Sequence, residues 1–163
     1  MNSRKSDPLL RNDVIGDAMY KKILLAYDGS EPGQKALLDC HEIAQWSHAE
    51  LALVAVAPVT MTAVGPEGGI YDESLQRDLE KRYRTILDTG LGKLSEAGMS
   101  ASGEVVTGDP VLEVARFAKK MQADLIVVGH KHLEGWAARW WRGSISKSLI
   151  EYAPCSVLVV ITH

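Results

Sequence analysis

Five short strand-like runs recur along this chain, Lys22–Tyr27, Glu50–Ala57, Ala101–Val106, Leu125–Val128 and Ser156–Ile161, with helix-period segments between them. The first alternates too little to be a strand wetted on one face, which suits the centre of a parallel sheet covered by helices on both sides. Strands that alternate with helices are joined by right-handed crossovers, so the expectation is an α/β protein with a five-stranded, parallel, doubly wound, Rossmann-like sheet.

Local signals place the helices. Asp28-Gly29-Ser30 ends the first run, Ser30 is a good N-cap, Pro32 is tolerated in a first turn, and Leu37, His41 and Ala44 share one face, predicting a helix over Glu31–Ser47. From Ser74, the residues Leu75, Leu79, Tyr83, Ile86, Leu87, Leu91 and Leu94 form one helical face, while Arg77, Asp78, Glu80, Lys81 and Arg84 occupy the other, and Gly98 ends the segment. Gly108-Asp109-Pro110 starts a helix carrying Val111, Val114, Ala115 and Ala118. A short helix over Ser144–Tyr152 is stopped by Pro154. The stretch Pro58–Asp72 has Pro, Gly and Thr but no period, and is longer than an ordinary connection, so it reads as a lid or binding loop. Residues 1–18 show no sustained period and read as a poorly ordered extension, leaving a single domain over 19–163.

Composition narrows the function classes. A net charge of -3 argues against a general nucleic-acid binder, which needs a basic footprint. No apolar run is long enough to span a membrane, and Met1–Ala18 has no apolar signal core, so a cytoplasmic location is the default expectation. Cys40 and Cys155 are too few and too far apart for a disulfide scaffold or zinc site and read as small buried hydrophobes. His41 reads as a satisfied structural residue.

Two strand ends carry candidate chemistry. Leu125-Ile-Val-Val-Gly-His-Lys-His132 reads as a buried strand that opens into a basic loop, re-entering a helix at Gly143-Ser144 whose first N–H groups are free to hold an anion such as phosphate. Between 130 and 147 the cations Lys131, Arg139, Arg142 and Lys147 are set against the single carboxylate Glu134. In doubly wound sheets ligands bind beyond the carboxyl ends of the strands, and both this loop and Asp28-Gly29-Ser30 lie at such ends.

The residues Lys22-Ile-Leu-Leu-Ala-Tyr-Asp-Gly-Ser-Glu31, Gly108-Asp-Pro110, Ala123-Asp-Leu-Ile-Val-Val-Gly129, Gly143-Ser-Ile-Ser146 and Cys155-Ser-Val-Leu-Val-Val160, in this order, resemble the universal stress protein family from Tyr20 to Ile161. The resemblance implies strand order 3-2-1-4-5, a homodimer often made through the last strand, and either ATP binding or, as in another branch, no nucleotide. Carried across position by position, it implies that Asp28 sits near the phosphates or their Mg²⁺ and that Val56 lies against the adenine. Ala26 and Tyr27 would flank that base, Gly129 and His132 would lie under the ribose and phosphates, and Gly143, Ser144 and Ile145 would surround the phosphate chain. His130, Lys131 and Arg142 join the set as neighbours in the same basic loop.

The loop departs from the ATP-binding pattern of the family, which is Gly, two residues, Gly, nine residues, Gly and Ser or Thr. Here His132 stands at the second glycine and ten residues precede Gly143-Ser144. A Cβ at that position makes a positive φ or a close phosphate approach costlier, although His tolerates left-handed backbone better than branched residues do. Each candidate also has a plain reading. Asp28 with Gly-Ser makes a turn and cap, the loop cations a solvated face, and Ser144 an N-cap rather than a nucleophile, since no triad partners are placed. His130-x-His132 without a nearby carboxylate or Cys makes a weak metal site.

Two functions follow: a dimeric, nucleotide-binding stress-response protein holding ATP, AMP or ADP with Mg²⁺ and at most slow hydrolysis, or a nucleotide-free dimeric adaptor with no cofactor. Trp136, Trp140 and Trp141 hold three of the four tryptophans in one segment and would serve the adaptor as a protein-partner surface. An adenylating enzyme is set aside, because the His-x-x-His or Ser-Gly-Gly phosphate signatures are absent.

Overall fold

The structure is a computed structural model and describes residues 19–63, 69–131 and 145–162. In chain order the elements are β1 (Lys22–Ala26), α1 (Glu31–Ser47), β2 (Glu50–Ala57), β3 (Met61–Ala63), β4 (Gly69–Tyr71), α2 (Glu73–Glu96), β5 (Ala101–Thr107), α3 (Pro110–Met121), β6 (Leu125–Lys131), α4 (Ile145–Tyr152) and β7 (Ser156–Thr162). The main sheet has five strands, all parallel, in the order β5-β2-β1-β6-β7, which is the expected 3-2-1-4-5.

β1 is central, with Ile23 opposite Leu51 on one side and Leu125 on the other. Its side chains therefore divide between two cores. Ile23, Leu25 and Tyr27 join Leu37, Cys40, Leu53, Leu87, Leu94 and Val127 under α1 and α2. Leu24 joins Val54, Val114, Ala118, Ile126 and Leu149 under α3 and α4. Leucines buried this completely contribute about 1.5–3 kcal/mol each. Cys40 is one of the buried group, and burial pushes its thiol up to about 12; Cys155, at the mouth of β7, is only half-buried.

Helix starts follow the capping residues. Ser30 Oγ accepts the Gly33 N–H, Asp72 Oδ1 accepts from the Ser74 and Leu75 N–H groups, and Asp109 Oδ1 accepts from Leu112 N–H. α1 closes on His48 in the left-handed region, φ 54°, where its N–H bonds the Ala44 carbonyl.

Four sequence expectations are corrected. The aperiodic stretch Pro58–Asp72 contains an antiparallel hairpin, β3 with β4, whose three-residue strands are too short to show a period. On α2, Leu75 is 49% exposed and Gln76 is 1% exposed, because the helix is phased by Leu87, Gly90 and Leu94, which projects back onto 83, 80 and 76. His41 is not satisfied: its Nε2 is buried without a hydrogen-bond partner among the described residues. Cys155 is only partly buried, packed against the α3 and α4 core just before β7 begins. The extension 1–18 lies outside the described residues.

Two glycines set how the helices sit. A Cβ on Gly129 would overlap the carbonyl group of Pro32 and lie 2.6 Å from Gly33 N, so the first turn of α1 rests directly on the backbone of β6. A Cβ on Gly90 would lie 2.6 Å from Cε1 of Tyr27, so that ring occupies a notch in α2. Gly92, two residues on, has nothing within 4 Å of the same position. In urea unfolding, Gly129→Ala and Gly90→Ala should each lose about 1–3 kcal/mol through overpacking, while Gly92→Ala should be neutral or gain about 0.5–1 kcal/mol from helix propensity.

Candidate functional site: a cleft at the switch point of the sheet

The chain leaves β1 toward β2 and β5 on one side and returns to β6 and β7 on the other, so the strand order reverses between β1 and β6. A ligand crevice is expected at the carboxyl ends there. The structure has a cleft of about 150 Å³ at this place, lined by Ala26, Tyr27 and Asp28 after β1, Val54 and Val56 of β2, Val128 and Gly129 of β6, Tyr83 of α2, and Pro110 and Val114 of α3. Its walls are aliphatic apart from Tyr27 and Tyr83, and its rim carries the exposed carboxylate of Asp28. That combination suits a flat apolar ring system inside and a polar group outside.

Asp28 is held by its own turn. Oδ1 accepts from Ser30 N–H at 3.0 Å and from Ser30 Oγ at 2.6 Å. Oδ2 makes no hydrogen bond among the described residues and is the atom available to a ligand or to a cation that a ligand brings. Among the described residues no group of three His, Cys, Asp or Glu side chains is placed to hold a metal.

Tyr27 contributes to the cleft, but its ring is 2% exposed and packs with the α1 and α2 core. Its hydroxyl accepts from Gln34 Nε2, and Gln34 Oε1 accepts from Lys93 Nζ, so one side chain of α1 bridges the end of β1 to α2. Burial, chiefly, raises the phenol above its ordinary value, with the Asp28 charge adding to the shift and the Gln34 hydrogen bond opposing it.

A second network ties the chain leading into the hairpin to α2 and β5. The buried Gln76 accepts through Oε1 from both N–H and Oγ1 of Thr60, each at 3.1 Å, and donates through Nε2 to Glu80, which also accepts from Thr107 Oγ1 at 2.9 Å. The chain beyond β2 is thus fastened to α2 and β5 where it enters β3. Gln76 escaped sequence reasoning, and Tyr83, which the sequence places on the apolar face of α2, was not read as a cleft residue. The signal for Gln76 is the 76-80-83-87-90-94 spacing, which shares Tyr83, Leu87 and Leu94 with the face read from sequence.

Of the sequence candidates, Ala26, Tyr27, Asp28, Val56 and Gly129 come together in the cleft. His130 and Lys131 continue β6 beyond it, His130 half-buried and Lys131 exposed, and Ile145 opens α4. His132, Arg142, Gly143 and Ser144, with Arg139, Glu134 and Trp136, Trp140 and Trp141, lie outside the described residues.

The comparison with known proteins agrees with this geometry. The universal stress protein family model matches residues 19–160, and the chain belongs to that family. The universal stress protein MJ0531 of Methanocaldococcus jannaschii is 32% identical over 151 residues, covering 91% of this chain and 88% of the relative. A universal stress protein family member from Burkholderia pseudomallei, solved by crystallography, is 28% identical with a TM-score of 0.68, covering 88% of this chain and 97% of the other. An Arabidopsis thaliana family protein crystallised with AMP bound shares the fold at 19% identity, TM-score 0.62, covering 88% of this chain and 92% of the other. No described helix is long and apolar enough to cross a membrane.

The phenol of Tyr27 supplies a test of the packing that shapes the cleft. With its folded-state value raised, its contribution to stability is whole below the value of an exposed tyrosine, about 10, and is lost as pH climbs through the folded value, because only the unfolded chain then gives up the proton. Urea unfolding between pH 8 and 11 should show a fall in stability that is smaller in Tyr27→Phe; equal falls in both proteins would contradict the burial of this hydroxyl.

Proposed function

We propose that the cleft binds an adenine nucleotide and that the protein is a dimeric stress-response protein of the cytoplasm that holds ATP, ADP or AMP without efficient catalysis. The observation that carries the reading is the aliphatic slot at the switch point, Ala26, Val54, Val56, Val114 and Val128, with one open carboxylate oxygen at its rim. The base fits the slot, and the phosphates lie toward Asp28 and the basic stretch that starts at Lys131. Asp28 would hold Mg²⁺ through Oδ2, and the ion would supply charge neutralisation for the phosphates. The first turns of α1 and α3, which begin at the same end of the sheet, favour the ligand's negative charge. Hydrolysis is expected to be slow, since among the described residues no placed general base or cationic finger stands at the rim. The homodimer is read through β7, whose outer edge has no partner among the described residues.

The adaptor reading has one observation in its favour. At about 150 Å³ the cleft falls below the ~300–1,000 Å³ of ordinary small-molecule pockets. It would then act through Trp136, Trp140 and Trp141.

Acid release and identification of co-purified nucleotide, followed by calorimetric titration of ATP and AMP with and without Mg²⁺, separates the two. Saturable binding is expected, stronger for ATP when Mg²⁺ is present and weakened about tenfold by Asp28→Ala, a loss near 1.4 kcal/mol. Ser144→Ala should weaken it as well, and His132→Gly should change the affinity. An intact dimer that binds neither nucleotide at millimolar concentration would establish the adaptor reading instead.

A further inference from the structure

β5 is an edge strand: it pairs with β2, and among the described residues no strand pairs with its other side. Its sequence, Ala101-Ser-Gly-Glu-Val-Val-Thr107, carries neither Pro nor Lys, two of the devices by which natural edges refuse a partner. A groove flanks it on each face. On the α2 side a groove of about 700 Å³ is lined by Val105 and Thr107 of the strand and by Arg77, Glu80, Lys81 and Arg84 of the helix. On the α3 side a groove of about 380 Å³ is lined by Glu104 and Val106 of the strand and by Glu113, Arg116, Phe117 and Lys120 of the helix. Successive side chains of a strand point to opposite faces. An extended segment laid along β5 would therefore drop its side chains into the two grooves in turn.

The α2 groove is positively charged in a chain whose net charge is -3. It holds three cations against one carboxylate, and that carboxylate, Glu80, already accepts from Thr107 and Gln76. Arg77 pairs with Glu73 at 3.1 Å and Lys81 with Asp78 at 3.6 Å, but these partners are 74% and 75% exposed, and such surface pairs are weak enough to be exchanged for a better one. Arg84 has no partner among the described residues. In the α3 groove the charges are paired with one another, Glu104 with Lys120 and Glu113 with Arg116, and Val106 and Phe117 supply its apolar surface.

We propose that the free edge of β5 takes an extended acidic segment of a partner protein as an added strand. Its main chain completes the hydrogen bonds of β5, its carboxylates face Arg77, Lys81 and Arg84, and its alternate apolar side chains face Val106 and Phe117. This surface is separate from the nucleotide cleft, and the partner is selected by a pattern, alternating acidic and apolar residues, rather than by net charge alone.

The probe is a fluorescein-labelled peptide of alternating Glu and Val, as long as β5, titrated by anisotropy against the whole protein at low salt. Saturable binding is expected that weakens as salt is added and falls about tenfold in Arg84→Glu, an exposed position whose circular dichroism should match the parent's. The same peptide N-methylated at alternate amides keeps its side chains but cannot pair along one edge, and it should not bind. Absence of saturable binding at millimolar peptide overturns the proposal, as does an N-methylated peptide or an Arg84→Glu protein that binds as well as its parent. A single-stranded oligonucleotide that displaces the peptide and binds more tightly would reassign the groove to phosphate backbones. If Arg84→Glu instead splits the protein's own dimer in sedimentation, the edge belongs to a second copy and the proposal fails.

Discussion

The seat of α1 on β6 governs the rest of this molecule. Where the first turn of the helix meets the strand, Pro32 and Gly33 lie so close to Gly129 that no side chain fits between them. Helix and sheet meet backbone to backbone, and the end of α1 is fixed against the strand beside the reversal of strand order. Asp28, Gly29 and Ser30 must then cross a short gap from the end of β1 to that helix. The crossing is made by the Asp28–Ser30 turn, which leaves the second carboxylate oxygen pointing free. The position of the one charged group that the described residues bring to the cleft thus descends from a packing contact that involves no charge.

This gives Gly129 a cause different from the one a phosphate-binding motif suggests. Side chains of β6 alternate between layers, and the place of a Cβ at 129 is on the α1 side, whereas Val128 faces the cleft. Glycine at 129 is thus demanded by the scaffold with or without a ligand. Its presence supports the fold more directly than it supports nucleotide binding. Asp28 is likewise both a turn residue through Oδ1 and a candidate ligand contact through Oδ2, so its plain and functional readings coexist on different atoms of one side chain.

Much of the fold was legible because the central strands are buried on both faces and therefore spell uninterrupted apolar runs. Ser30, Asp109 and Pro110 marked their helix starts by the chemistry of capping, and the structure begins α1 and α3 there. The hairpin β3–β4 was illegible because three-residue strands carry one and a half periods at most. The buried face of α2 was misphased because Leu75 outranks Gln76 in hydrophobicity, while the structure spends Gln76 on Thr60 and Glu80, a tertiary use that no local pattern announces. At the cleft, the residues flanking β1 and β6 could be found from motifs. Tyr83 and Val114 could not, since they arrive from helices whose packing angle the sequence does not state.

The notch at Gly90 has a bearing on what the cleft can admit. The Tyr27 ring fills it while Tyr27 itself forms part of the cleft, and Gln34 and Lys93 close the same junction from the other side. Rotation or sliding of α2 would drive helix backbone into an aromatic ring, so the wall that carries Tyr83 is held at a set distance from Pro110 and Val114. Thickness is then a property of the scaffold: the separation of Tyr83 from Pro110 and Val114 is set by a keyed joint of ring and helix before any guest arrives.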